Sequence, residues 1–372
     1  MIFFRKMLGL IGGLNKTILV VALISLLSFF AGAKLQQNKR SIVKIFTFKQ
    51  KTEEISPKYQ RDNEIFKQSF TKTKTQTQLL LPCNTVHDIT KNVQSMFIPS
   101  TMFFGSYANI KINDTKRSND IINVNYSIAD RKYSAYCFYK KTTKSNNRNA
   151  VLIIPGTGLN QSTDIFHKNK NNYHGDILNV FEDNFDVYVY VKPNEDFLAI
   201  HDGKYKLDQI FYVNYLLNSG GSYSAHYLVN SIAFTKHLKS KYSKVIVAGL
   251  SQGGAAALLN SLQSNPDAAI IASGFSVLSS VADGSDLAQI IIPGIRAFYT
   301  NEKIKDLIQS SKTKYLFTYG KKETGTYKIE AEEGLTSKFL KDCLNTNFIV
   351  HPNGHEFDKT AIHNFILKLR EN

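Results

Sequence analysis

An α/β fold with a mainly parallel sheet is predicted for this chain by three observations. Short runs of β-branched and aliphatic residues alternate with helix-forming stretches through the C-terminal two-thirds of the sequence, and strands that alternate with helices imply parallel pairing through crossover connections. One of these runs, Val245-Ile246-Val247-Ala248, stops at Gly249-Leu250-Ser251-Gln252-Gly253-Gly254 and passes at once into Ala255-Ala256-Ala257-Leu258-Leu259. That is strand, glycine-flanked turn and small-residue helix in immediate succession. At 372 residues, 43% hydrophobic, the chain is also long enough to bury a large core.

Taken in order, the N-terminus comes first. Arg5, Lys6 and Lys16 precede an uncharged run at 17–33 that closes on Ala31-Gly32-Ala33. A cationic flank, an apolar core and a small-x-small end are the parts of an export signal, and the run is also just long enough to span a bilayer. Residues 1–33 are therefore expected to be either a cleaved signal peptide or an uncleaved transmembrane anchor, which makes the protein exported or membrane-anchored. Lys34, Lys39, Arg40 and Lys44 follow; they suit contact with anionic headgroups and leave the orientation open. Residues 34–119 read as a basic linker and N-terminal extension, amide-rich and charged, with TKTKTQTQ at 71–78 and no internal repeat.

A single α/β domain is expected over 120–372. Residues 121–126 and 133–139 suit two antiparallel strands joined around Ala129-Asp130-Arg131, and 150–154 a third that ends in Pro155-Gly156-Thr157-Gly158. A helix at 175–183 and a strand at 185–191 come next. Residues 193–223 form a long aromatic segment containing Phe197, Tyr205, Phe211, Tyr212 and Tyr215. A helix at 225–239 leads into the glycine-flanked turn. Beyond it, strands fall at 268–272, 315–319 and 348–350, with helices at 303–309 and 360–370. The sum is an eight-stranded, mainly parallel sheet flanked by helices. The segment 193–223, together with 278–299, is long enough to form a cap-like insertion or pocket wall.

Lys and Arg number 46 against 30 Asp and Glu, for a net charge of +16. Such a surface suits anionic partners, but no zinc-finger spacing, Walker-type loop or aromatic RNA-binding signature accompanies it, and no nucleic acid is expected. Cys83, Cys137 and Cys343 are too few and too scattered for a disulfide framework or a zinc site. Cys83 with Cys137 is a pair that export would permit; three ordinary thiols is the plainer reading.

The Gly-x-Ser-x-Gly-Gly turn, the order of elements and the loops after the strands give residues 120–372 a resemblance to the α/β-hydrolase superfamily of serine esterases and lipases. The resemblance implies that Ser251 is a nucleophile on an elbow between strand and helix. It implies His355, in Pro352-Asn353-Gly354-His355-Glu356-Phe357 after the last strand, as the base. It implies Glu323, in Gly320-Lys321-Lys322-Glu323 where the family commonly has Gly-x-x-Asp, as the acid that orients the imidazole. Asp283 and Asp286 are the rival acids, because some members take the acid from the preceding strand. Backbone N–H groups of Gln252 and Thr157, with Gly158 as the alternative to Thr157, would form the oxyanion hole. His201-Asp202 is a second histidine–acid pair, read as structural. The chemistry implied is cleavage of a small-molecule or polymer-borne carboxylic ester through an acyl-enzyme, with no metal or organic cofactor. A peptidase, thioesterase or deacetylase would use the same groups, and a catalytically silent binding module would keep the same fold.

Overall fold

The sheet is built from two kinds of strand, and burial along each shows why. In a computed structural model that describes residues 102–371 apart from 143–147, 159, 170–171, 194, 196–216, 218–220, 279–289 and 293, β1 (Ile110–Ser118), β2 (Ile121–Ile128) and β3 (Arg131–Lys140) form an antiparallel meander. In β2 and β3 buried residues alternate with part-exposed ones, the period-2 signature of strands with one face on the core. The strands that follow are apolar on both faces. β4 (Asn149–Ile154), β5 (Asp186–Tyr190), β6 (Lys244–Leu250) and β7 (Ala268–Ala272) are buried almost throughout, as expected of parallel strands covered by helices on each side. β8 (Lys314–Gly320) and β9 (Thr346–His351) complete the parallel part.

The order across the sheet is β1-β2-β3-β5-β4-β6-β7-β8-β9. Among the described residues nine strands are therefore present rather than the eight expected, and the first of them begins at Ile110 instead of near 120. The additional strand is β1, whose residues Ile110-Lys111-Ile112-Asn113-Asp114-Thr115-Lys116-Arg117-Ser118 are mostly exposed and so carry little of the apolar signal by which strands are read.

Helices cover both faces. On one side, α1 (Ser106–Asn109), α4 (Tyr223–Lys239) and α5 (Gln252–Ser264) pack Tyr227, Leu228, Ala255 and Leu258 over Leu152, Ile154 and Val247. On the other, α2 (Gln161–Phe166), α3 (Leu178–Phe181) and α10 (Lys359–Glu371) lay Ile165, Leu178, Phe181, Ile362 and Ile366 over Val151, Ile153, Ile246 and Ile270. The short α6 (Ile295–Phe298), then α7 (Asn301–Ser310), α8 (Gly325–Glu333) and α9 (Leu335–Phe339) fill the connections around β8. The helix expected at 175–183 is reduced to α3. Gly175 stands at φ +58 and ends the preceding turn instead of starting a helix.

The chain leaves β4 toward β5 on one side and returns to β6 on the other. This reversal is a topological switch point at the carboxyl ends of β4 and β6, the position where ligands bind in open α/β sheets. Loops after β4, β6, β7, β8 and β9 all emerge at that edge. The expected signal or anchor at 17–33, the linker, Cys83, the aromatic residues 197–215, His201-Asp202, Asp283 and Asp286 lie outside the described residues. Among the described residues no helix is long and apolar enough to cross a membrane. Cys137 and Cys343 are buried.

Candidate active site

β6 runs apolar to Leu250 and breaks at Ser251, which sits at φ 61 and ψ −127 as the first residue of the turn into α5. A β-carbon at positive φ costs on the order of 1–3 kcal/mol, so the surrounding structure must enforce it. It does: the Ser251 N–H donates to the Ala272 carbonyl on β7 at 2.9 Å, and the Ser251 carbonyl accepts from Ala255 N–H at 3.0 Å. The hydroxyl plays no part in capping α5. Ser251 is part-exposed while Gly249, Leu250 and Gln252 around it are buried. Gln252 opens α5, so its backbone N–H lies at the positive end of a 13-residue helix.

His355 lies in the loop after β9, and Glu323 just past β8. The Glu323 carboxylate is 1% exposed and accepts a 2.9 Å hydrogen bond from His355 Nδ1. Its other oxygen accepts from the Gly320 N–H at 2.9 Å and from the Ser273 hydroxyl. With Nδ1 donating to a carboxylate, the neutral ring presents Nε2 as an acceptor. The imidazole is 38% exposed and stands between Tyr173 and Tyr327, whose ring centroids are 5.7 and 6.2 Å away at 27° and 26°. The loop itself is tied to β8 by Lys321 N–H to His351 O and Lys322 N–H to Asn353 O, both 2.9 Å.

The third loop, Pro155-Gly156-Thr157-Gly158, follows β4. A β-carbon on Gly156 would fall 2.1 Å from the Tyr173 hydroxyl and 2.8 Å from the Leu250 carbonyl. Gly156 is thus pressed against the elbow strand on one side and against Tyr173 on the other, and Tyr173 in turn stacks on His355. The loops carrying Ser251, Thr157 and His355 therefore meet around Gly156 and Tyr173. Thr157 and Gly158 are part-exposed at this junction.

Several residues here carried no sequence signal of their own. His174 is fully buried, and its Nε2 accepts from the Gly156 N–H at 2.9 Å while its Nδ1 lies 2.7 Å from Asn172 Oδ1. A backbone N–H must donate, so Nδ1 carries the ring proton. Burial, the Lys192 ammonium and His355 hold His174 well below the usual histidine range, which keeps it neutral and in that tautomer. Lys192 and Glu195 form an ion pair at 3.3 Å, with both side chains fully buried. Glu195 accepts from Gln161 N–H at 2.9 Å and Ser162 N–H at 3.0 Å, fastening the start of α2. Two charged residues placed directly after the apolar strand Asp186–Tyr190 were the one available clue. Ser273, at φ 44 after β7, was likewise silent in the sequence. His351 is buried at the end of β9, while His226 and His363 lie on α4 and α10; among the described histidines it is His355 that pairs with a carboxylate.

No known protein-family profile matches the chain, and no curated protein matches it. Among solved structures it is similar to a carbohydrate esterase family 15 glucuronoyl esterase from Caldicellulosiruptor kristjansonii, at 13% identity over 76% of this chain and 85% of that one, with a TM-score of 0.46. It is also similar to Est1E from Butyrivibrio proteoclasticus (13% identity, 70% and 100% covered, TM-score 0.40) and to esterase PE8 (14%, 63% and 96%, 0.38). The strand order reversing between β4 and β6, the serine at positive φ ahead of α5, and the acid and histidine delivered after β8 and β9 make this an α/β-hydrolase fold.

Proposed function

We propose that the protein is a serine hydrolase that cleaves a carboxylic ester through an acyl-enzyme. The observation that carries this reading is the buried Glu323 carboxylate holding His355 Nδ1 at 2.9 Å, with the His355 ring linked through Tyr173 and Gly156 to the strand that ends in the strained Ser251 elbow. A surface histidine has no need of a buried carboxylate, whereas a general base needs one to fix its tautomer and to stabilise the imidazolium it becomes.

In the proposed reaction the Ser251 hydroxyl attacks the ester carbonyl carbon and His355 Nε2 takes its proton. The C=O electron pair moves to oxygen, where the backbone N–H groups of Gln252 and Thr157 would stabilise it. Collapse expels the alkoxide, which leaves as the alcohol with the proton from His355. Water then repeats the sequence on the acyl-serine, releasing the carboxylic acid and restoring both side chains.

A fluorophosphonate probe tests the reading. Incubation of the full-length protein is expected to give a single covalent adduct mapping to Ser251, together with turnover of short-chain chromogenic esters. Absence of both from folded protein would overturn it in favour of a silent binding module. Thioester, anilide and acetylated-glycan substrates assayed alongside assign the reaction subtype.

Glu323→Gln is expected to lower kcat by about 10³–10⁴. The variant's amide oxygen would keep the bonds from Gly320 N–H and Ser273, which leaves the NH₂ facing His355. Nδ1 must then accept, the proton moves to Nε2, and the ring loses its basic nitrogen on the serine side. Steady-state kinetics with a melting curve check this; a loss below tenfold in a folded variant removes Glu323 from the mechanism.

A further inference from the structure

The serine-hydrolase reading requires N–H donors that stay aimed while charge develops on the substrate oxygen. A loop containing two glycines in four residues is a poor place to find them, because glycine has the largest conformational freedom to lose. Yet each of the four consecutive carbonyls in this loop has a side-chain donor. Tyr227 Oη donates to Pro155 O at 2.5 Å, Lys192 Nζ to Gly156 O at 3.1 Å, Tyr173 Oη to Thr157 O at 3.0 Å, and Lys192 Nζ also to Gly158 O.

A peptide unit is rigid and trans, so its C=O and N–H lie in one plane and point in opposite directions. Holding the Gly156 carbonyl therefore aims the Thr157 N–H away from Lys192, and holding the Thr157 carbonyl aims the Gly158 N–H away from Tyr173. We propose that Lys192 and Tyr173 are positioning residues for oxyanion stabilisation: by gripping the Gly156 and Thr157 carbonyls from beneath, they set the two peptide planes whose far ends are the donor N–H groups. This rests on the serine-hydrolase reading for its catalytic half.

The identity of the groups fits the task. A cation on the carbonyl end polarises the peptide so that its N–H becomes a stronger donor. Burial pushes the Lys192 ammonium down from the usual lysine range, and the Glu195 carboxylate opposes that shift. Replacing such a buried pair with apolar side chains is often neutral or stabilising, so stability alone gives no reason to keep it at the carboxyl end of β5. Tyr173 is held with its proton on oxygen by burial and by the Glu195 charge, both of which raise its hydroxyl, and its ring stacks on His355. One side chain thus touches both the loop and the histidine.

The test uses Lys192→Met/Glu195→Gln, which removes the grip without stranding a charge, and Tyr173→Phe, which removes one hydroxyl from an otherwise intact packing unit. Expected results are a fall in kcat of roughly 10²-fold for the first and roughly tenfold for the second, with KM within about threefold of wild type, as for loss of a transition-state interaction. Amide hydrogen exchange by mass spectrometry should quicken across 156–158 in both variants while the β6 and α5 peptides stay protected. Unchanged exchange in this loop overturns the proposal whatever the activity, and so does faster exchange with unaltered kcat in an active enzyme. Should the double variant fail to fold, Tyr173→Phe decides on the same two readouts. If wild type neither turns over esters nor takes the phosphonate, the serine-hydrolase reading and with it the catalytic half fail; exchange still decides whether the two side chains hold the loop.

Discussion

Ser251→Ala should lower kcat for ester hydrolysis by about 10⁴–10⁶, to the level that binding and oxyanion stabilisation alone can supply. It should do so without unfolding the protein. The hydroxyl makes no capping bond to α5, so its loss leaves no helix N–H newly orphaned. Alanine carries the same β-carbon at the same positive φ, so the backbone strain is unchanged as well. The melting temperature is therefore expected to stay within about 2 °C of wild type, a shift of under about 1 kcal/mol for a domain of this size. Fluorophosphonate labelling should vanish with the activity. A folded alanine variant that retains more than a hundredth of the wild-type rate would show that another residue attacks the substrate.

Gly253→Ala has the opposite profile, a large cost in stability that reaches the site only through the fold. A β-carbon there would lie 2.0 Å from the Ile154 carbonyl oxygen and 2.9 Å from the Pro155 carbonyl carbon. Both obstacles are backbone, at the end of β4 where the oxyanion loop begins, and neither can rotate aside as a flexible side chain would. α5 would have to lift off the sheet, opening the contacts of Ala255 and Leu258 with the strands beneath. A cost of roughly 3–5 kcal/mol follows, the range of the severe core defects, and a melting temperature lower by about 10 °C. Gly175→Ala is the matched control. Its φ of +58 is unfavourable for alanine, but nothing lies within 4 Å of its β-carbon position, so the expected cost is about 1 kcal/mol. Thermal melts of the two variants side by side check the difference; equal shifts would mean that close helix–sheet approach at Gly253 is not what the glycine is for.

What was legible in the sequence and what was not divide along physical lines. The parallel strands could be read because burial on both faces demands unbroken apolar runs, and β4, β6 and β7 are such runs. The elbow could be read because a serine at positive φ next to a closely packed helix needs glycines at fixed spacing. Glu323 and His355 followed from their places after β8 and β9, and the structure brings them together. β1 escaped notice because its residues face water on most positions and carry charge. The groups that grip the 155–158 loop escaped for a different reason. Tyr173, His174, Lys192 and Tyr227 come from separate segments, and each is a single residue without spacing or periodicity. Their relation exists only after the sheet has assembled.

β1 is the outermost strand among the described residues, and that has a consequence for how the protein behaves in concentrated solution. A border strand offers a row of unpaired peptide groups to any neighbouring molecule that can supply a matching strand. Here Lys111, Asp114, Lys116 and Arg117 lie along that border, and the register shifts between Ile112 and Asp114. Charge along the strand and a local twist make this margin of the described sheet a poor template for intermolecular pairing.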